Sequence, residues 1–132
     1  AELEGVGTDM KRVYIADDDP QIRTIIQVSL SRIEGLETTL FENGLELLQA
    51  VQESPPDALV TDIILPRLDG LAVCGLLKYD EQYAGIPVMV ISSVIDSDIE
   101  EQVRQAGADG YLRKPFRPQE IRDRVRQLVG LD

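Results

Sequence analysis

Four short apolar runs in this chain each stop on a residue able to handle a cation or a phosphate. Val13-Tyr14-Ile15-Ala16 ends in Asp17-Asp18-Asp19, and Ala58-Leu59-Val60-Thr61 ends in Asp62. Val88-Met89-Val90-Ile91 ends in Ser92-Ser93, and Tyr111-Leu112-Arg113 ends in Lys114-Pro115. Carboxylates gathered at one place raise each other's pKa unless a cation offsets the repulsion. Oxygen donors without His or Cys suit a hard ion, and Mg²⁺ on one or two carboxylates, waters and a phosphate is the best match. Lys114 adds a fixed positive charge, and Ser92 a hydroxyl that can donate to a phosphate oxygen. A carboxylate can also be the nucleophile in phosphoryl transfer, with metal and Lys stabilising the oxygens of the moving group.

Taken singly, each of these residues has an ordinary role. An Asp after a strand caps a helix or opens a turn, Lys-Pro makes a solvated corner, and Ser-Ser opens a loop. Their weight lies in joint placement. If the runs are parallel strands of one sheet, all four ends meet at the carboxyl edge, where open α/β sheets bind ligands.

The rest of the chain supplies that sheet. Strands are expected at Arg12 to Ala16, Leu36 to Phe41, Ala58 to Thr61, Val88 to Ile91 and Tyr111 to Arg113, each followed by a helix. Asp19 is placed to cap a helix starting at Pro20, with Ile22, Ile26, Leu30 and Ile33 at helical spacing and Gly35 as its closing glycine. Asn43-Gly44 leads into a second helix carrying Leu47, Leu48 and Val51 and stopped by Pro55-Pro56. Pro66 to Gly70 turns into a third helix with Leu71, Cys74 and Leu77, where Cys74 reads as a small apolar filler. Ile99, Val103 and Ala106 mark a fourth, ended by Gly107, and Ile121, Val125 and Leu128 the core face of a fifth beginning near Pro118. Short strands alternating with amphipathic helices mean a three-layer α/β sandwich.

Composition narrows the function. A chain of 132 residues fits one domain. It has no histidine, which removes Ser-His-Asp and Cys-His catalysis and any phosphohistidine on this chain. The single Cys74 excludes an internal disulfide and suits a reducing cytosol, so a cytoplasmic location is expected. No run is long enough for a membrane span, and no membrane partner is expected. With a net charge of −11 and no basic face, direct nucleic-acid binding by this domain is not expected. Arg113, Arg117, Arg122, Arg124 and Arg126 are interleaved with Glu120 and Asp123 and read as a solvated helix face. Residues 1–11 read as a flexible N-terminal arm, and 12–130 as the domain.

These residues resemble the receiver domains of two-component response regulators, the chemotaxis-type regulators being the simplest. The resemblance covers Lys11 to Val129 and rests on Asp17-Asp18, LVTDIILPRLDG around Asp62, Ser92, and YLRKPF with Lys114. It implies a doubly wound, flavodoxin-like α/β fold with five parallel strands in the order 2-1-3-4-5. It implies that Asp62 is the phosphoacceptor, that Asp18 binds Mg²⁺ directly and Asp17 through water, and that the Ile64 backbone carbonyl is a further ligand. Ser92 matches the switch hydroxyl, Tyr111 the switch aromatic, and Lys114 the residue that pairs with the phosphoryl oxygen. The Lys114-Pro115 bond is expected to be cis by analogy, and Asp69-Gly70 to turn into the third helix. Asp19 is better placed as a cap than as a ligand.

The implied mechanism is a two-state switch. Phosphorylation of Asp62 adds charge and acceptor oxygens beside Mg²⁺ and Lys114, Ser92 is drawn in, and the loop from Ser93 to Ser97 rearranges. Tyr111 then occupies the vacated space. The readout surface is helix four, strand five and helix five, including Ile95, Tyr111 and Arg117. A sensor histidine kinase or a histidine phosphotransfer protein is the implied donor, docking near Pro20 to Arg23. A downstream target or output domain, and a phosphorylation-dependent homodimer, are the implied outputs. Ile64 and Val94 are apolar where a polar side chain could position water, which predicts a long-lived phosphoaspartate. The rival reading takes Asp17-Asp18-Asp19 as the Asp-x-Asp of haloacid-dehalogenase-type phosphatases, with Asp17 the nucleophile and Asp19 the acid/base. That rival leaves Asp62 and Pro20 unexplained.

Overall fold

A computed structural model describes residues 10–94 and 96–131 of the chain. Each of five strands is followed by a helix. In order they are β1 (Lys11–Ala16), α1 (Pro20–Leu30), β2 (Leu36–Phe41), α2 (Gly44–Glu53) and β3 (Ala58–Asp62), then α3 (Gly70–Lys78), β4 (Val88–Ser92), α4 (Ile99–Gln105), β5 (Gly110–Arg113) and α5 (Pro118–Val129). β1 begins at Lys11, which pairs with Leu36, so this residue belongs to the sheet and not to the expected arm. Residues 1–9 of that arm lie outside the described residues.

All strand pairs are parallel and the sheet order is β2-β1-β3-β4-β5. The expected order and fold class are therefore observed. Because the chain steps from β1 to β2 on one side and then to β3 on the other, the crossovers diverge between β1 and β3. Such a reversal opens a crevice at the carboxyl ends of those strands.

Strand periodicity sends alternate residues to opposite faces. Val13 and Ile15 pack with Ile26, Leu30, Ile121 and Val125, under α1 and α5. Tyr14 and Ala16 pack with Leu47, Val73, Cys74, Leu77 and Val103, under α2, α3 and α4. Every residue of β3 and β4 is buried, as a strand covered on both faces must be. Fully buried Ile15, Ile26, Leu30 and Ile121 each contribute about 1.5–3 kcal/mol over an exposed position.

The helix starts follow the expected caps. Asp19 accepts from the Gln21 N–H at 2.9 Å, Asn43 from Glu46 at 2.8 Å, and Asp69 from Ala72 at 2.8 Å. One expected stop does not hold. α1 ends at Leu30 with Ser31 as its C-cap, and Gly35 lies beyond, at φ +81°, where the chain turns into β2. The apolar spacing runs on to Ile33 because Ile33 is buried from the turn, not from the helix.

Two glycines hold the β3–α3 loop close to the edge. A Cβ on Gly70 would lie 1.9 Å from the Asp62 carbonyl oxygen, and one on Gly44 would lie 1.8 Å from that of Leu68. No larger residue fits at either position without moving that loop.

Candidate functional site

The register brings the four strand ends together. Thr61 and Asp62 of β3 lie beside Ala16 of β1 and Ile91 of β4, and Ser92 pairs with Arg113 of β5. Lys114 continues that ladder, its N–H donating to the Ser92 carbonyl at 2.9 Å. The peptide bond between Lys114 and Pro115 is cis, as expected.

From there the Lys114 ammonium reaches across the sheet edge. It donates to Asp62 Oδ2 at 2.7 Å and to Asp17 Oδ2 at 2.8 Å. Asp17 is fully buried and Asp62 nearly so, while Asp18 is exposed. Carboxylate oxygens of Asp17, Asp18 and Asp62 all lie within 4.8 Å of one another. Three carboxylates thus face one ammonium, with the exposed Asp18 on the solvent side.

The electrostatics follow from that placement. Burial pushes the Asp62 carboxyl above the ordinary carboxylate range; Lys114 pulls it back and Asp17 adds to the rise. For Lys114, burial acts downward, but the bonds and charges of Asp17 and Asp62 prevail and hold it above the usual lysine value. A group of this kind has room for more positive charge. The donors are all oxygen and two of them are withdrawn from water, which fits a hard divalent cation such as Mg²⁺ and not a soft one.

The two oxygens of Asp62 are unequal. Oδ2 takes Lys114, whereas among the described residues Oδ1 accepts only a long 3.3 Å bond from the Ile64 N–H. Asp17 is more fully engaged, Oδ1 accepting from the Asp19 N–H at 2.9 Å and Oδ2 from Lys114. Asp19 itself caps α1 and is not one of the three clustered carboxylates.

Ser92 is buried, and its Oγ accepts from the Val94 N–H at 2.9 Å, so its proton is free to be donated elsewhere. Tyr111 is half-buried, and its hydroxyl is a buried polar atom without a hydrogen-bond partner among the described residues. The hydroxyl is thus turned away from solvent. Beside Ser92, after β4, opens a groove of about 420 Å³ lined by Val94, Ile99, Tyr111, Asp96, Glu100 and Arg113. The groove is next to the acidic cluster, not over it. Ile95, expected at this surface, lies outside the described residues.

The family profile of the response regulator receiver domain matches residues 13–126. The chain belongs to that family. This receiver domain is 34% identical over 119 residues to the DNA-binding response regulator MtrA of Mycolicibacterium smegmatis, covering 90% of the chain and 50% of MtrA. It is 34% identical over 120 residues to the DNA-binding dual master transcriptional regulator RpaA of Synechocystis, covering 91% and 49%. The chain therefore spans about half the length of these curated relatives. Among solved structures, a putative response regulator from Chloroflexus aurantiacus superposes with a TM-score of 0.85 at 30% identity, over 92% of this chain and 98% of that one. The receiver domain of Francisella response regulator 1452 gives 0.82 at 30%, over 91% and 97%. Receiver domains are signalling domains that bind Mg²⁺ in an acidic pocket, and response regulators work with histidine kinases and output domains. No described helix is long and apolar enough to cross a membrane.

Three features escaped sequence reasoning. Arg23, noted only as part of a docking region, donates to the Asp17 carbonyl at 2.7 Å and pairs with Glu42 at 3.3 Å. Thr61 Oγ1 donates to the Asp62 carbonyl at 3.0 Å. Arg124, expected on a solvated face, donates to the Tyr111 carbonyl at 3.0 Å. The Arg23 and Arg124 contacts join residues apart in sequence, and each of the three side chains bonds a backbone oxygen, which carries no sequence signal, while the Arg23–Glu42 pair spans 19 positions.

Proposed function

We propose that this receiver domain accepts a phosphoryl group on Asp62 from a phosphohistidine of a sensor histidine kinase or a histidine phosphotransfer protein, in a Mg²⁺-dependent reaction. The carrying observation is the Lys114 ammonium shared between Asp62 and Asp17 at the sheet edge. An Asp62 carboxylate oxygen, Oδ1 being the less engaged, attacks phosphorus, and the bond from phosphorus to the donor imidazole breaks. The electron pair leaves with the imidazole, which takes up a proton. Asp18 would hold the ion directly, Asp17 through water, with Asp62 and the Ile64 carbonyl completing the set. Bound there, Mg²⁺ would neutralise charge on the phosphoryl oxygens. Lys114, whose ammonium lies 2.7 Å from Asp62 Oδ2, would add a second positive charge to the same oxygens.

The engagement of Asp17 also counts against a hydrolase built on it. Both its carboxylate oxygens are occupied, and Asp19, the acid/base that such an enzyme requires, is committed to capping α1.

The output follows from Ser92 and Tyr111. The free Ser92 proton has a new acceptor once Asp62 carries phosphoryl oxygens, and turning toward it gives up the bond from the Val94 N–H. Val94 then shifts, and the unsatisfied Tyr111 hydroxyl gains a reason to move into the groove. The surface of α4, β5 and α5, with Arg117 exposed on it, is the readout for a target, an output domain or a second copy. MtrA and RpaA are DNA-binding, which makes an attached DNA-binding output a natural destination for the signal.

Labelling with a small-molecule phosphodonor tests this reading. Incorporation is expected in the wild type with Mg²⁺, and is expected to vanish with chelator or in Asp62→Asn. Equal incorporation in Asp62→Asn would overturn it.

A further inference from the structure

We infer that Arg23 is a positioning residue for the ion site, acting through the backbone of the β1–α1 loop. The inference rests on the ion-site reading above and goes beyond it, because Arg23 is no ligand. Its side chain is 14% exposed, and its Nη1 donates to the Asp17 carbonyl at 2.7 Å. That carbonyl belongs to the planar peptide unit joining Asp17 to Asp18, so gripping it orients the plane from which Asp18 departs. Asp18 needs such help. Its side chain is exposed, and its carboxylate accepts no hydrogen bond among the described residues. Asp17, by contrast, is also held by its own N–H to the Phe41 carbonyl at 3.2 Å and by Lys114.

A guanidinium beside a cation site would repel the ion if it stood alone. Here its second nitrogen faces Glu42 Oε1 at 3.3 Å, from the β2–α2 loop. The pair offers geometry with little net charge. It also ties three segments together: the β1–α1 loop, the first turns of α1, and the β2–α2 loop. Outer partners that orient ligands typically change metal affinity by about 10- to 100-fold when removed.

The test is a Mg²⁺ titration of the full chain by isothermal calorimetry, beside urea unfolding of the metal-free protein. Arg23→Ala is expected to raise the Mg²⁺ Kd about tenfold or more. Arg23→Lys keeps a cation and a donor without the fork, and is expected to recover most of that loss. Glu42→Gln, which keeps the carbonyl bond, is expected to weaken binding less than Arg23→Ala does. A wild-type Kd in Arg23→Ala, whatever its unfolding midpoint, overturns the inference, as does a larger effect of Glu42→Gln. No Mg²⁺ response in the wild type overturns the ion-site reading and this inference with it.

Discussion

Lys114 at the carboxyl edge of the sheet and Lys78 at the amino edge are almost equally withdrawn from solvent, with 14% and 15% of their side chains exposed. Their surroundings differ. Lys78 donates to the carbonyls of Ala84 and Ile86 at 3.1 and 2.8 Å and to Asp109 at 2.8 Å. Asp109 in turn accepts from the Val88 N–H at 2.8 Å. Nearby, Arg12 Nη2 donates to the Tyr14 hydroxyl at 2.7 Å, which donates to the Ser54 carbonyl at 2.6 Å. At the amino edge Lys78 pairs with Asp109, and the Lys78, Arg12 and Tyr14 donors find acceptors. At the carboxyl edge three carboxylates cluster with one lysine that bonds only two of them, burial raises the Asp62 pKa, and a tyrosine hydroxyl lacks a partner among the described residues. A closed network stabilises, whereas an open one leaves charges and donors for a bound group to satisfy.

Removing each lysine sharpens the contrast. Lys78→Met is expected to cost about 2 kcal/mol, since it leaves the carbonyls of Ala84 and Ile86 and the half-exposed Asp109 without their ammonium, and added Mg²⁺ should not restore it. Lys114→Met is expected to cost about 2 kcal/mol in the metal-free protein by stranding Asp17 and Asp62, and here Mg²⁺ should restore most of the loss. Urea unfolding with and without Mg²⁺ reads both. Equal Mg²⁺ rescue of the two variants would erase the distinction.

A smaller effect tests the charge surplus itself. Asp62→Asn is expected to stabilise the metal-free protein at neutral pH by about 1 kcal/mol, the low end for relieving a buried charge. The folded-state pKa of Asp62 is raised, so the stability carried by its protonated form is complete below the unfolded value near 3.8 and is lost as pH rises through the folded value. The advantage of Asn over Asp should therefore be greatest at neutral pH and shrink as pH falls toward that window. A gap that does not change with pH would contradict this. Stability of the two proteins across pH, measured in chelator, decides it.

The smallest stability effect should accompany a change in chemistry. Ile64 is 63% exposed at the edge, and Val94 lines the groove beside Ser92. Polar side chains there can position water, so Ile64→Asn combined with Val94→Glu is expected to speed phosphoaspartate decay. Ile64→Asn alone should change stability by no more than about 0.5 kcal/mol, as for other exposed substitutions. Unchanged decay in the double variant would remove these residues from any account of lifetime.

The sequence made the carboxyl edge legible because its parts recur once per strand and helix. Asp17, Asp18, Asp62, Ser92 and Lys114 each follow an apolar run, and parallel topology then gathers them. Asp19 could be separated from the clustered carboxylates because Pro20 after it marks a helix start. The amino edge was not legible, since Lys78 meets Asp109 across 31 positions and Arg12 meets Ser54 across 42. Nor was Arg23, whose partners are a backbone oxygen and a carboxylate 19 positions away. Gly35 misled because a glycine after an apolar run can serve either a helix end or a later turn. Local spacing shows what a strand end carries, while bonds across the fold show how firmly it is held.

The central claim is that Asp62 receives the phosphoryl group while its neighbours hold the ion. Labelling the protein with a small-molecule phosphodonor in Mg²⁺, reducing the acyl phosphate with borohydride and mapping the modified peptide tests it directly. Modification at Asp62 is the result predicted. Modification at Asp17 or Asp18, with Asp62 intact, would contradict the account.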